Sequence, residues 1–435
     1  MTNDRAQSPF SPLGLTAADF AARWKQAGLR GGVEAGLAAY SRFYRKGDRD
    51  LPIPVTAEIA PIVKRHEEPC DEGVTVKFCQ RLTRKGGTPT RQRGHETGHS
   101  TTPNTPALRV GVPPDEPQTL ESARLKTLGT TRRAADTLPL GILHADDRVE
   151  HLDIETVVIP MIGRTRRKTH TMCISSQIGC AMACDFCETG QMGLIRSLTA
   201  AEMVGQWWAA RHVEHADINN IVFMGMGEPL DNLDAVLDAI ACLTDDRGPA
   251  VPMSNITIST VGRVDGLRRL VDVVRKPGWK RLGLALSVNA PNDEVRDAIM
   301  PINRRWDMGE LRQAMVDLCR ARGNRKVLFE YVLIPGVNDA DEHARQLAEW
   351  LSPFTRNEHQ PHIGLLNVIP YNPRRDSPWP APDEARVKQF VDLLADLGVF
   401  VKRRRTKGRD QMAACGQLGS AEIRKRRYTP AESPA

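Results

Sequence analysis

Cys180, Cys184 and Cys187 form a CxxxCxxC motif, and with Cys173 just upstream they place four of the chain's nine cysteines within fifteen residues. Thiolates are soft ligands suited to iron–sulfur clusters or zinc, and a short loop can wrap three of them around one centre. A structural zinc asks for four protein ligands, commonly in two separated pairs. Three ligands leave a position open, and an open iron on a four-iron cluster can bind a substrate or cofactor. Phe186, just before the last cysteine, could shield such a centre from water. The competing readings are a zinc site completed by Cys173 or His170, and plain buried cysteines. An odd number of cysteines in a large chain without a secretion-type start makes a disulfide framework the poorer explanation.

Two later stretches carry weaker signals. "MGMGEPL" at 224–230 ends an apolar run with glycines that let backbone approach a ligand, and Glu228 there can accept hydrogen bonds from an ammonium or a ribose hydroxyl. "AACGQLGS" sets Cys415 among small residues, which leaves room for a bulky partner, although a buried small residue is the plainer reading.

These residues need a scaffold. From Thr171 onward the β-rich runs "TMCISS", "NIVFMGM", "NITIST", "LGLALSV", "VLFEYVLI", "IGLLNVI" and "GVFVKR" alternate with amphipathic helices such as "TAAEMVGQWWAARHV". That pattern predicts an α/β fold with a partial parallel (βα) barrel, whose active site lies at the C-terminal strand ends. The cysteine motif follows the first of those runs. Residues 16–68 read as helical, with Thr16 as the N-cap of the first helix, and "VTVKFCQRL" then alternates like a strand. The predicted organisation is a small, mostly helical accessory domain over 1–82 and a flexible insertion over 83–136. A strand pair over 137–170 follows, with its turn at Asp146 and Asp147, then the barrel over 171–420 and a basic tail over 421–435. The insertion "RKGGTPTRQRGHETGHSTTPNTP" cannot bury enough apolar surface to offset its ordering entropy.

The 435 residues suffice for about two or three domains, and 40% apolar with 26% charged residues is ordinary globular composition. The start "MTNDRAQSPFSPLGL" lacks a basic region followed by an apolar run, and no eighteen apolar residues occur together. The expectation is a cytoplasmic protein with no membrane partner. A net charge of +7 favours a polyanionic partner mildly. "RTRRK" at 164–168, "KRRR" at 402–405 and "RKRR" at 424–427 could neutralise phosphates, or be solvated faces. Trp207 and Trp208 could stack on bases, but their helical setting favours core packing.

Taken in order, "CISSQIGCAMACDFC", "GMGEPL", "NITIST", "APNDEVRDAIMPIN", "FEYVLIPGVND", "NVIPYNP" and "AACGQL" make the stretch from Asp153 to Ser420 resemble the radical S-adenosylmethionine (SAM) enzymes, and within them the RNA adenosine methyltransferases of the RlmN and Cfr type. The resemblance implies that Cys180, Cys184 and Cys187 hold one 4Fe-4S cluster whose free iron binds SAM, two molecules of which are used per turnover. Gly227 and Glu228 would contact the methionine end, and Ser259, Ser287, Val288, Asn289 and Asn372 would line the rest of the pocket. Cys415 would carry the methyl group to an adenine carbon, and Glu155 would remove the proton from that carbon. Cys173 would then release the product by forming a disulfide with Cys415. The implied partners are ribosomal RNA, with transfer RNA as a second candidate, and an external electron donor such as flavodoxin; a monomer is expected. Carbon 2 is favoured over carbon 8. The alternatives are a radical SAM enzyme of another substrate class and a noncatalytic, zinc-stabilised RNA-binding protein. Two positions depart from the family's pattern: Asn289, where a His is common, and Glu188, where a small residue is usual.

Overall fold

The structure, a computed structural model, describes residues 9–82, 152–162, 168–355, 362–404 and 416–419. The predicted insertion, the turn at Asp146 and Asp147, Cys415 and the basic tail lie outside the described residues.

Thr16 accepts the backbone N–H of Asp19 and so caps α1 (Ala17–Gln26) as its sequence predicts. After α2 (Gly32–Lys46), which ends at Gly47 in the left-handed region, helix stops. The expectation of helix to residue 68 is corrected here. Residues 62–82 form the antiparallel hairpin β1 (Ile62–Cys70) and β2 (Gly73–Leu82). The reason is cross-strand: "VTVKFCQRL" alternates as a strand does, and β2 is hydrogen-bonded along one edge by β1 and along the other by β3 (Leu152–Ile162). β3 in turn pairs antiparallel with β4 (Lys168–Cys173).

From β4 the chain winds as an α/β barrel segment. A short hairpin, β5 (Gln177–Gly179) and β6 (Leu194–Ser197), brackets the cysteine motif and the one-turn α3 (Glu188–Met192). Then follow α4 (Ala200–His212), β7 (Ile218–Phe223), α5 (Leu233–Thr244), β8 (Ile256–Thr260), α6 (Val264–Arg275) and β9 (Gly283–Ser287). The segment is completed by α7 (Asp293–Ile299), α8 (Met308–Ala321), β10 (Val327–Leu333), α9 (Asp341–Leu351), β11 (Gly364–Pro370), α10 (Glu384–Asp396) and β12 (Val401–Arg403). The sheet order is β1-β2-β3-β4-β7-β8-β9-β10-β11-β12, with every pair from β4 onward parallel. All seven runs read from the sequence are these parallel strands.

The N-terminal helices share the barrel's core rather than forming one of their own. Tyr40 and Tyr44 are buried and both contact the Cys242 thiol on α5, and Trp208 on α4 stacks on Phe43 and donates its indole N–H to the Phe43 carbonyl. Trp207 and Trp208 are thus core residues. No helix among the described residues is long and apolar enough to cross a membrane.

Candidate active site

The C-terminal ends of the parallel strands and the β5–β6 loop surround a cavity. Its wall carries Cys180, Cys184, Cys187, Gly227, Glu228, Ser259, Ser287, Asn289 and Asn372. Of the cavity residues expected from sequence, Val288 alone is turned away: its side chain belongs to the main core, while its carbonyl accepts from the Arg296 guanidinium.

The cysteine loop is fixed by backbone. Cys180 N–H donates to the Gly193 carbonyl at 3.0 Å, closing the hairpin, and Cys187 N–H donates to the Cys184 carbonyl at 3.1 Å. Gly190 has to be glycine, since a Cβ there would stand 2.9 Å from the Cys184 carbonyl oxygen. Burial first, and the neighbouring thiol second, push Cys180 and Cys184 well above the ordinary thiol range; burial also raises Cys187. Thiolates here therefore need positive charge supplied to them.

Among the described residues no three His, Cys, Asp or Glu side chains converge on a position for one metal ion. Three thiolates sharing a single zinc would stand within roughly 4 Å of each other, given Zn–S bonds of about 2.3 Å. In a cluster each thiolate binds its own iron, and the iron charge compensates all three. The donor set, two buried thiols and a half-buried one on a cavity wall with an acidic neighbour in Glu228, fits the cluster.

Glu228 is held by its surroundings. Its N–H donates to Gln177 Oε1 at 2.9 Å, and its carboxylate accepts from Leu230 N–H at 3.0 Å and Val261 N–H at 2.9 Å. Burial raises this carboxyl above its ordinary value, opposed by those donors. Gly227 sits at φ +101°, and a Cβ on it would be 2.5 Å from Gln177 Cβ. Arg296 is fully buried beside Cys184; burial lowers its guanidinium to about 10.

Gly416–Gly419, the residues following Cys415 in sequence, are stitched to the same site. Glu188 N–H donates to the Gly416 carbonyl at 2.7 Å, Thr189 Oγ1 donates to the Leu418 carbonyl at 2.5 Å, and Gly419 N–H donates to Glu155 Oε2 at 2.9 Å. Leu418 packs in a small buried cluster with Cys173, Met192 and Met226. Gly416 and Leu418 also line the cavity. Glu155 is no solvated strand carboxylate: it is 8% exposed, and Lys77 Nζ stands 3.0 Å from its Oε1. Burial raises its carboxyl, with Lys77 opposing.

The two departures find places in this frame. Glu188 is buried, and its carboxylate accepts from Arg375 N–H at 3.2 Å, with the Arg375 guanidinium 3.7 Å away. Asn289 sits at φ +55°, a conformation asparagine tolerates well; its side-chain oxygen accepts from Val332 N–H at 2.9 Å, locking the end of β9 to β10. Of the basic runs, Arg403 and Arg404 pair with Glu384 and Glu330; Arg164–Arg167, Arg405 and the 424–427 run lie outside the described residues.

Sequence reasoning missed Lys77, Gln177, Gln206 and Arg296. Gln206 on α4 accepts from Thr156 Oγ1 and Ser175 N–H, both at 2.9 Å, so it ties β3 to the end of β4. The available signal was a polar residue inside an apolar pattern, as in "EMVGQWW" and "VTVKFC".

Residues 174–348 match the radical SAM superfamily. The chain is 43% identical over 280 residues to "Probable dual-specificity RNA methyltransferase RlmN 1" of Protochlamydia amoebophila, covering 64% of this chain and 73% of that one. It is 41% identical over 277 residues to the dual-specificity RNA methyltransferase RlmN of Nitratidesulfovibrio vulgaris, covering 62% and 71%. With the RlmN of Stenotrophomonas maltophilia the figures are 40% over 272 residues, 61% and 65%. Among solved structures, a radical SAM methyltransferase from Sphaerobacter thermophilus superposes with a TM-score of 0.69 at 30% identity, covering 94% of this chain and 99% of that one.

Proposed function

The chain belongs to the RlmN-type family of radical SAM methyltransferases, and on that premise we propose that it methylates carbon 2 of an adenosine in ribosomal RNA, with transfer RNA as a second substrate. The observation that carries the reading is the stitching of Gly416–Gly419 into the cysteine-lined cavity, which puts the sequence neighbours of Cys415 against both Glu155 and Cys173.

Cys180, Cys184 and Cys187 would hold the cluster, and Gly227, Glu228, Ser259, Ser287, Asn289 and Asn372 would surround SAM. When bound, the pair supplies the radical chemistry that an unreactive adenine carbon demands. The chain's own residues do the rest. Cys415 carries the methyl group as a thioether, so that carbon–carbon bond formation leaves the RNA joined to the protein through a CH2–S link. Glu155 accepts the proton displaced from the adenine carbon. The Cys173 thiolate then attacks the Cys415 sulfur: an S–S bond forms, the S–C bond breaks with its electron pair going to carbon, and a proton converts that carbon to the methyl product. Two SAM molecules per turnover, an external electron donor of the flavodoxin kind and a monomeric state complete the reading.

The test is mass spectrometry of the tryptic peptide "DQMAACGQLGSAEIR" from protein purified without oxygen. One added methyl on Cys415 is expected. An unmodified thiol in protein with an intact cluster would overturn the carrier role.

A further inference from the structure

Glu330 is a charged residue in the otherwise apolar strand β10, and it is 4% exposed. Its register sets it opposite Ser287 on β9 and Asn367 on β11, three residues before the end of its strand. Its backbone is immobilised, because its carbonyl accepts from both Val288 N–H at 3.0 Å and Asn289 N–H at 3.3 Å. Asn367 Nδ2 donates to Oε1 at 3.0 Å. Oε2 has no hydrogen-bond partner among the described residues. The Arg404 guanidinium pairs with Oε2 across 3.6 Å, longer than a hydrogen bond; burial raises the Glu330 carboxyl and the Arg404 charge opposes that. Glu330 and Arg404 both line the cavity.

A buried carboxylate oxygen without a donor is costly, and such an atom on a cavity wall calls for a ligand that brings one. A carboxylate only accepts and a guanidinium only donates. Side by side they complement a molecule that presents a donor next to an acceptor. The amino group of adenine beside N7 is such an edge, whereas a 6-oxopurine offers two neighbouring acceptors, O6 and N7, there. We propose that Glu330 and Arg404 form an adenine-reading pair below the strand ends of the barrel, taking the amino edge of either the cofactor's adenine or the RNA's target base. The inference rests on the adenosine chemistry proposed above and adds the residues that select it.

The decisive variant is Glu330→Gln. Asn367 Nδ2 holds the position of Oε1, so the amide oxygen must take that place and the NH2 must replace Oε2. An acceptor becomes a donor in an almost unchanged shape. Equilibrium binding is measured on cluster-loaded protein prepared without oxygen, with melting curves as a check on folding. One probe pair is S-adenosyl-L-homocysteine against S-inosyl-L-homocysteine. The other is a single-stranded oligouridylate containing one adenosine or one inosine, with S-adenosyl-L-homocysteine saturating. In one of the two pairs the adenine-to-hypoxanthine affinity ratio should move toward hypoxanthine by about tenfold or more, and the pair that moves identifies whose adenine is read. Unchanged ratios in both pairs overturn the proposal. Glu330→Ala, which removes the acceptor without supplying a donor, should level the preference, and so decides the matter if the glutamine variant does not fold. Wild-type protein that binds neither S-adenosyl-L-homocysteine nor either oligonucleotide would overturn the proposed function itself, and this inference with it.

Discussion

The Gly419 backbone N–H donates to Glu155 Oε2 at 2.9 Å, joining the C-terminal segment to a strand 264 residues earlier in the chain. The same carboxylate faces Lys77 across the sheet. Glu155 thus anchors the segment that follows Cys415 while paired with a lysine from the neighbouring strand.

If Cys173 resolves the intermediate, Cys173→Ala should convert turnover into accumulation. Incubated with RNA, SAM and a reductant, that variant should show a protein–RNA species stable on a denaturing gel, and Cys415→Ala should show none. Equal amounts of adduct in the two variants would contradict the assigned roles.

Lys77→Met leaves the Glu155 charge buried without its partner. Removing one member of a buried pair costs about 3–5 kcal/mol, so the urea midpoint should fall clearly. Adding Glu155→Gln to the same chain should restore part of the loss; a simple sum of the two single effects would mean the pair is not coupled.

Burial raises the Glu155 carboxyl, with Lys77 only partly opposing it. A carboxyl whose folded value is raised contributes most below its unfolded value, and that contribution is lost as pH rises through the folded value. Wild-type protein should therefore lose stability relative to Glu155→Gln as pH climbs out of the ordinary carboxylate range toward neutrality. Denaturation at a series of pH values measures this, and a flat difference would refute it.

Gly227→Ala puts a Cβ 2.5 Å from Gln177 Cβ at a φ that alanine avoids. Gln177 also holds the Glu228 N–H, so the displacement reaches the carboxylate directly. SAM affinity should drop by about tenfold or more, read by equilibrium dialysis, with the fold retained by circular dichroism.

Arg296 donates to the Val288 carbonyl at 3.1 Å, to Asn303 Oδ1 at 3.0 Å and to the Val261 carbonyl at 2.5 Å. Lysine cannot span three acceptors spread around a planar fork. Arg296→Lys should destabilise by on the order of 3 kcal/mol, seen as a lower Tm; a shift within error would show that the three acceptors find other donors.

Much of the fold could be read from the chain because its signals are local. Strand runs of six to eight residues between amphipathic helices specify parallel α/β winding, and Thr16 and Thr199 mark helix starts by chemistry that acts within three residues. The hairpin at 62–82 could be read only in part: "VTVKFCQRL" alternates as β2 does, while β1 falls largely within a stretch that reads as helical. It gains its stability from β3, which lies some seventy residues downstream, and its Lys77 breaks the rule that a charged residue in an alternating strand faces water.

The sequence by itself determined the cysteine spacing, the order of the barrel strands and the family motifs, since all of these are written in contiguous residues. Tertiary structure alone decided that Glu155 is buried and paired, that Val288 turns into the core, that Glu188 clamps the segment after Cys415, and that Glu330 brings to the cavity wall an oxygen with no hydrogen-bond donor among the described residues. Each of those depends on which distant strand lies alongside, and burial and hydrogen bonding are set by that neighbour rather than by the residue's own type.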